Sequence, residues 1–382
     1  MGVKATVAID QSPDSGPSVY VSAGMPTLDM SGKQTSFFEF WPTWLMYLPV
    51  ILQSLWLAAR HRSLTLPLIA NPELPLSGMV GVEKSTLMAQ AKGECQEVIL
   101  PWFLHIRSRA ELATQVEEIE GKIADNKLIF PLVCKPDIGC RGSGVKLADC
   151  ADQLAAILDC YPAGSGMLVQ TLASWEPEAG VFYLRHPDEA HGKIISMALK
   201  YTPYVVGNGL NTLKELIASD PRAAALKHLY YQRHESVLDN VIPAGEPYRL
   251  IFAASHSRGA IFRDARHHIT EALSARIDQL MQGLPEFHYG RLDIKFRDIN
   301  TLMRGNDIEI VEINSASSES LHIWDRNTAL GEALRSLLFQ YRTLFTLGAK
   351  NRQRGYRTPS LTELLRAWNK ERRLTRHHPL TD

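Results

Sequence analysis

Two short stretches, "YGRLDIKF" (Tyr289–Phe296) and "IEIVEIN" (Ile308–Asn314), constrain the fold of this chain more than any other feature. Side chains alternate faces along a strand, so Arg291, Asp293 and Lys295 share one face of the first stretch, and Leu292, Ile294 and Phe296 take the other. On the second stretch Glu312 and Asn314 share a face. If the two strands pair, Asp293, Glu312 and Asn314 converge with Arg291 beside them. Two carboxylates and an amide carbonyl are hard oxygen donors that suit Mg²⁺, which keeps several waters and leans on substrate phosphates.

A second pattern lies upstream. In "VCKPDIGCRGSGV" (Val133–Val145), Lys135 closes an apolar run and a glycine-rich loop follows. Closely spaced glycines let backbone approach a phosphate. The order through Gly139, Gly142 and Gly144 is G-x-x-G-x-G, which is neither the dinucleotide-fold pattern nor a P-loop.

Around these motifs the chain alternates loosely between strand and helix patterns. Strands are expected at Leu64–Ala70, Lys127–Pro136, Gly166–Leu172, Gly180–Arg185, Ile194–Tyr201, Tyr248–Ser255 and Ala260–Arg263, besides the two above. Helices are expected near Glu83–Ala91, Ala148–Cys160, Thr212–Ala218, Ala223–His234, Ile269–Leu284 and Leu330–Leu347. The absence of strict alternation argues for α+β subdomains and against one doubly wound sheet.

The 382 residues suffice for two or three domains, and 45% apolar with 21% charged residues is globular composition. A formal net charge of zero gives no footprint for nucleic acid. Five cysteines without zinc-ligand pairing fit a reduced, cytoplasmic setting. Residues 1–35 read as a weakly ordered polar leader.

Residues 37–59, "FFEFWPTWLMYLPVILQSLWLAA", are followed by Arg60, His61 and Arg62. Glu39, Pro42, Pro49, Gln53 and Ser54 interrupt this segment, and its tryptophans resemble an interfacial belt. Three readings stay open, in descending order: a buried or dimer-forming helix, an in-plane membrane contact, and a true span. The tail from Lys350 is basic, with a helix expected after Thr358-Pro359 that carries Leu361, Leu364, Leu365 and Trp368 on one face. No Ser-His-Asp or Cys-His arrangement stands out.

Together, "VCKPDIGCRGSGV", "LVQTLASWEPEAGVFYL", "MALKYTP" and "GRLDIKF…EIVEIN" resemble the ATP-grasp superfamily, particularly the D-alanine–D-alanine ligase-like carboxylate–amine ligases, over roughly Glu83–Asp325. "VVGNGLNTLKELI" (Val205–Ile217) is similar to a stretch of ATP-grasp peptide-bond formers such as cyanophycin synthetase, with Asn208 where that pattern carries Asp. The resemblance implies an ATP-grasp fold, two α+β subdomains gripping ATP, preceded by a small α/β N-terminal domain. It divides the chain into a leader (1–35), an N-terminal domain with the aromatic helix (36–125), a central subdomain with the glycine loop (126–205), a C-terminal subdomain with the metal site (206–348) and a basic helical tail (349–382).

The implied roles fall on named positions. Lys135 and Lys200 touch ATP phosphates, and Gly139, Gly142, Ser143 and Gly144 fold over them. Lys84 is the corresponding lysine of the N-terminal domain. Gln170, Thr171 and Leu172 form the adenine hinge, and Glu178 binds the ribose. Asp293, Glu312 and Asn314 hold Mg²⁺, or Mn²⁺ in its place, and Arg291 faces the acyl-phosphate and tetrahedral oxyanion. The implied reaction is ADP-forming amide or peptide-bond formation on small amino-acid-like carboxylate and amine substrates.

The D-alanine-specific N-terminal signature is absent, which argues against a cell-wall dipeptide ligase. Ser315–Ser320 with Glu319, and His256, Arg258, Arg263 and Asp264, are candidate substrate contacts. Two alternatives stand beside this reading: a membrane-associated ligase acting on an acyl or lipid carboxylate, and a non-catalytic ATP-binding regulatory module.

Overall fold

The computed structural model describes residues 20–31, 34–39, 41–139, 143–255, 258–376 and 381. Its N-terminal part contributes α1 (Thr43–His61), α2 (Lys84–Met88), α3 (Glu94–Val98), β1 (Trp102–Ile106) and α4 (Leu112–Asp125). Then follow β2 (Leu132–Pro136), β3 (Lys146–Ala148), α5 (Ala151–Asp159) and β4 (Gly166–Thr171). These strands form a four-stranded antiparallel sheet in the order β1-β4-β2-β3. Ile119, Leu154 and Leu158 of α4 and α5 pack on its inner residues Leu132, Cys134 and Val169.

A second, five-stranded antiparallel sheet has the order β11-β10-β5-β6-β9. Its strands are β5 (Glu178–Leu184), β6 (Lys193–Tyr201), β9 (Ile261–Asp264), β10 (Tyr289–Phe296) and β11 (Ile308–Asn314). One face carries Val181, Met197, Leu199, Leu292 and Ile294 against Leu273, Ile277 and Leu280 of α9 (Glu271–Gln282), all of them buried. A two-stranded ribbon, β7 (Tyr204–Val206) with β8 (Pro247–Arg249), flanks α6 (Leu213–Ser219), α7 (Pro221–Ala225) and α8 (Lys227–Arg233). The short α10 (Ile299–Met303) joins β10 to β11, and α11 (Leu330–Gln353) and α12 (Leu361–Thr375) end the fold. The fold class is α+β, as expected.

Local chemistry explains several boundaries. Thr212 caps α6 by accepting from the Glu215 amide, while the Glu215 carboxylate accepts from the Thr212 amide, a capping box. The "T…ELI" part of the cyanophycin-like stretch is therefore a helix start. Asn208 Oδ1 accepts from the amides of Leu210 and Asn211 at 3.0 and 2.8 Å, a turn that Asn supports as well as Asp. Beside it Gly207 packs so closely that a Cβ would lie 2.1 Å from the Pro243 carbonyl.

Four expectations are corrected. Leu64–Ala70 is not a strand: Leu66–Ile69 form a 3₁₀ turn, because Pro67 supplies no ladder N–H and all four residues are buried against neighbours. Ala223–His234 is two helices, broken at Leu226. The strand expected at Tyr248–Ser255 ends at Arg249. Among the described residues the segment 36–125 has no sheet of its own, since β1 joins the four-stranded sheet and α1 packs on α11. Asn71 ties this segment to the second sheet: its Oδ1 accepts the amides of His288 and Tyr289 at 2.8 and 3.0 Å, and its Nδ2 donates to the Tyr289 carbonyl at 2.8 Å.

Candidate active site

Pairing of β10 with β11 is antiparallel, with Arg291 opposite Asn314 and Asp293 opposite Glu312. Directly opposed residues point to the same face, so the four side chains converge as the alternation implies. On the other edge β10 pairs with β5, where Gly180 stands opposite Asp293. A Cβ there would lie 2.6 Å from Leu321 Cδ1 and 3.3 Å from Arg291 Cδ. The missing side chain is what lets Arg291 lie across β5 beside Asp293.

The charges are tightly paired. Arg291 Nε and Nη2 donate to Asp293 Oδ1 and Oδ2 at 2.9 and 3.1 Å, and Nη1 donates to the Glu319 carbonyl at 3.2 Å. Lys200 Nζ lies 3.0 Å from Asp293 Oδ1 and donates to Glu178 Oε1 at 2.7 Å. Lys295 Nζ reaches the other oxygen of Glu178 at 2.9 Å. Asn314 Nδ2 donates to Asp293 Oδ2 at 3.1 Å. Lys84 Nζ is 3.6 Å from Glu312 Oε1 and donates to the Gly139 carbonyl at 2.6 Å. From the other sheet, Lys135 Nζ donates to Gln170 Oε1 at 2.7 Å and to the Val311 carbonyl at 3.0 Å, crossing the cleft.

Burial and charge act against each other here. Burial alone would raise the carboxyl of Asp293, but Arg291 and Lys200 outweigh it and hold it near 2. Burial likewise opposes ionisation of Glu178, and Lys200 with Lys295 overcome it, so its pKa falls below the ordinary carboxylate value. Burial would lower Lys200, yet Asp293 and Glu178 raise it overall. For Lys135 burial outweighs the support of Glu312 and Asp293, with Lys84 acting in the same direction as burial, and brings it down to about 8. Five cations (Lys84, Lys135, Lys200, Arg291 and Lys295) face three carboxylates (Glu178, Asp293 and Glu312), an excess that suits a polyanionic ligand.

The donor set of Asp293, Glu312 and Asn314 suits a hard divalent cation that shares phosphate oxygens. It holds two carboxylates; among the described residues no group of three His, Cys, Asp or Glu side chains forms a ready metal site.

Other expected residues fit less simply. The Gln170 side chain is buried and committed to Lys135 and to the Leu100 carbonyl, at 3.2 Å for the latter, so it cannot turn to a base without breaking both. The Thr171 amide donates to the Pro101 carbonyl at 2.9 Å, and of the two hinge amides only that of Leu172 has no acceptor among the described residues. Both bonds follow from β1 pairing with β4, a strand that sequence patterning did not register. In the glycine loop, Gly142 lies outside the described residues, as does His256. Ser143 and Gly144 are described, and Gly144 has φ +75°, the left-handed region that glycine tolerates. Its amide donates to Thr381 Oγ1 at 2.8 Å. Arg263 pairs with Gln34, and Asp264 pairs with Arg266, so these side chains serve contacts within the protein.

Several contributors went unassigned in the sequence. Asp137, directly after the Lys135-Pro136 pair, accepts from the Ser85 amide and hydroxyl, each at 2.8 Å. This holds the start of α2 and hence Lys84; an aspartate opening a glycine loop was the available signal. Lys295 shares the face of Arg291 and Asp293, as the alternation implies, and pairs there with Glu178. Tyr47, from α1, donates to the carboxylate of Glu319, whose burial lifts it to about 7 with the Trp324 side chain pulling the other way.

No family model matches the chain, and no curated protein matches it. Solved structures do resemble it. The D-alanine–D-alanine ligase from Coxiella burnetii is 10% identical, with 78% of this chain and 64% of that one covered and a TM-score of 0.40. D-cycloserine synthetase DcsG is 11% identical over 70% of each chain, with a TM-score of 0.37. A bifunctional glutathione synthetase from Pasteurella multocida is 13% identical over 69% of this chain, with a TM-score of 0.36, and the match spans 35% of that protein's length.

Proposed function

We propose that this chain is an ATP-dependent carboxylate–amine ligase that forms an amide or peptide bond through an acyl phosphate and releases ADP and phosphate. The observation that carries the reading is the β10–β11 register, which sets Arg291, Asp293, Glu312 and Asn314 on one face within reach of Lys84 and Lys200. Lys135, Lys84 and Lys200 bind and orient the terminal phosphates of ATP, with the Gly139–Gly144 loop over them. Leu172 meets the base and Glu178 the ribose. Asp293, Glu312 and Asn314 would hold Mg²⁺, which offsets phosphate charge when bound.

A substrate carboxylate oxygen attacks the γ-phosphorus, the bond to the bridging oxygen breaks, and ADP leaves. The task is mostly positioning and charge stabilisation, which lysines and an arginine supply without a protein nucleophile. An amine then attacks the acyl carbon. Arg291 stabilises the oxyanion, phosphate leaves, and the amine loses a proton. Small amino-acid-like substrates are the class we assign, since the loop after β11 is rich in hydroxyls.

The test is product analysis across amino-acid pairs. ADP and phosphate should appear only when both a carboxylate and an amine are supplied, and formation of AMP and pyrophosphate would overturn the assignment. Glu312→Gln should lower kcat at least about 10³-fold, because it removes a charge used in the transition state. Unchanged turnover would remove Glu312 from the metal site.

A further inference from the structure

Helix α1 is apolar on its exposed face as well as on its covered one. Met46, Val50 and Leu57 are buried against α11, and the polar side chains also turn inward: Gln53 Nε2 donates to the Leu338 carbonyl at 2.7 Å and Tyr47 donates to Glu319. The outward face consists of Trp44, Leu48, Ile51, Leu52, Leu55 and Trp56, between 44% and 66% exposed. These recur at the three- and four-residue spacing of a single stripe. Single exposed apolar residues are ordinary, but a continuous stripe about 18 Å long, running from one tryptophan to the other, is not.

The charges around the stripe say what covers it. Residues 43–61 contain no acidic side chain. The helix ends in Arg60, His61 and Arg62, and the Arg60 guanidinium lies over the Trp56 ring at 5.5 Å from its centroid. Arg342, on the exposed side of α11 between the α1-contacting residues Leu338 and Phe345, adds a further cation. An apolar stripe with tryptophans, whose indole N–H groups are its polar atoms, near both ends and cations at one end matches a bilayer interface, where indoles sit at headgroup depth and arginines meet lipid phosphates. Among the described residues no helix is long and apolar enough to cross a membrane.

We infer that the outer face of α1 docks in-plane on an anionic lipid surface. Such docking sets the helix that supports Glu319, and through its carbonyl Arg291, directly against the bilayer. The inference concerns binding alone and stands whether or not the proposed reaction is correct.

Flotation of the full chain with vesicles of phosphatidylcholine, with and without about one third phosphatidylglycerol, tests it. The wild type should float with anionic vesicles and at least about tenfold less with neutral ones. A Trp44→Glu/Leu52→Glu/Trp56→Glu variant, altered only at exposed positions and checked for an unchanged far-ultraviolet circular dichroism spectrum and Tm, should stay at the bottom. Arg60→Glu/Arg62→Glu should bring anionic binding down to the neutral level. Brominated lipid should quench tryptophan emission in the wild type. Absence of wild-type flotation, or equal flotation of the triple variant, would overturn the inference. So would a wild-type dimer that the triple variant converts to monomer without any lipid binding, since the face would then cover a second copy.

Discussion

In the cleft, Lys135, Lys200 and Asp293 keep charged groups at 4–6% exposure, while on α1 Trp44, Leu52 and Trp56 stay 59–66% exposed. Both regions depart from the usual sorting of side chains, in opposite directions. The buried charges are tolerable because each has partners: Asp293 alone is held by Arg291, Lys200 and Asn314. Among the described residues no such compensation covers the exposed apolar stripe. Internally compensated groups point to a preorganised site, and uncompensated ones point outside the molecule.

The largest effect that tests this contrast is expected from Asp293→Asn. It leaves Arg291 and Lys200 buried with too little opposing charge. It should abolish turnover and destabilise the fold by about 3–5 kcal/mol, read as a drop in Tm. A variant of wild-type stability would show that the pairing within the cleft is not what supports the buried cations.

Next comes the pH dependence of Lys135. Its ammonium is lost near pH 8 in the folded protein, against about 10.5 for an ordinary lysine. The folded state therefore binds fewer protons than the unfolded one between these values, so stability rises with pH across that window. Affinity for ATP should move the other way, with kcat/KM for ATP falling as pH rises through about 8. Lys135→Arg, which stays charged, should shift that limb upward; a flat profile in the wild type would remove Lys135 from phosphate binding.

Glu319 lies where the two regions touch, between Tyr47 of α1 and Arg291. Its folded pKa of about 7 exceeds the ordinary 4.5, so the folded state binds the extra proton and stability falls as pH rises between the two. Glu319→Gln cannot ionise. It should gain about 2 kcal/mol over wild type at pH 8.5, after allowance for partial exposure, and almost none at pH 4. Thermal melts at both pH values measure this, and equal differences would show that the carboxyl is not buried as described.

The smallest contrast is within α1 itself. Val50→Ala, on the covered side, should cost about 2 kcal/mol, and Leu48→Gln, on the outer side, no more than about 0.5 kcal/mol in denaturant unfolding. Equal costs would place both residues in a packed interface.

Legibility in the sequence followed the range of the interactions. The charged face of β10 and β11 was readable because period-two alternation is a local property of the strand, and Asp293, Glu312, Asn314 and Arg291 came together as expected. The capping box at Thr212 was equally local. Residues whose work is done across the fold were not readable. Gly180 looks like any strand glycine until Arg291 is laid over it, and Asn71 looks like a turn residue until it meets the backbone of Tyr289. The bonds at the proposed hinge were not readable because β1 was not, and Leu100 and Pro101, which lead into β1, are what hold the Gln170 side chain and use the Thr171 amide.

The sequence by itself thus determined the α+β class, the strand faces and the set of charged groups available to one another, because propensity and periodicity act over a few residues. It also determined that α1 would be apolar and free of acid. Which side of α1 is covered, which lysine crosses from one sheet to the other, and which hinge groups remain unbonded were decided by tertiary structure. These depend on pairings between residues tens to hundreds of positions apart, such as Tyr47 with Glu319 and Lys135 with Val311, which only the folded chain brings within hydrogen-bonding distance.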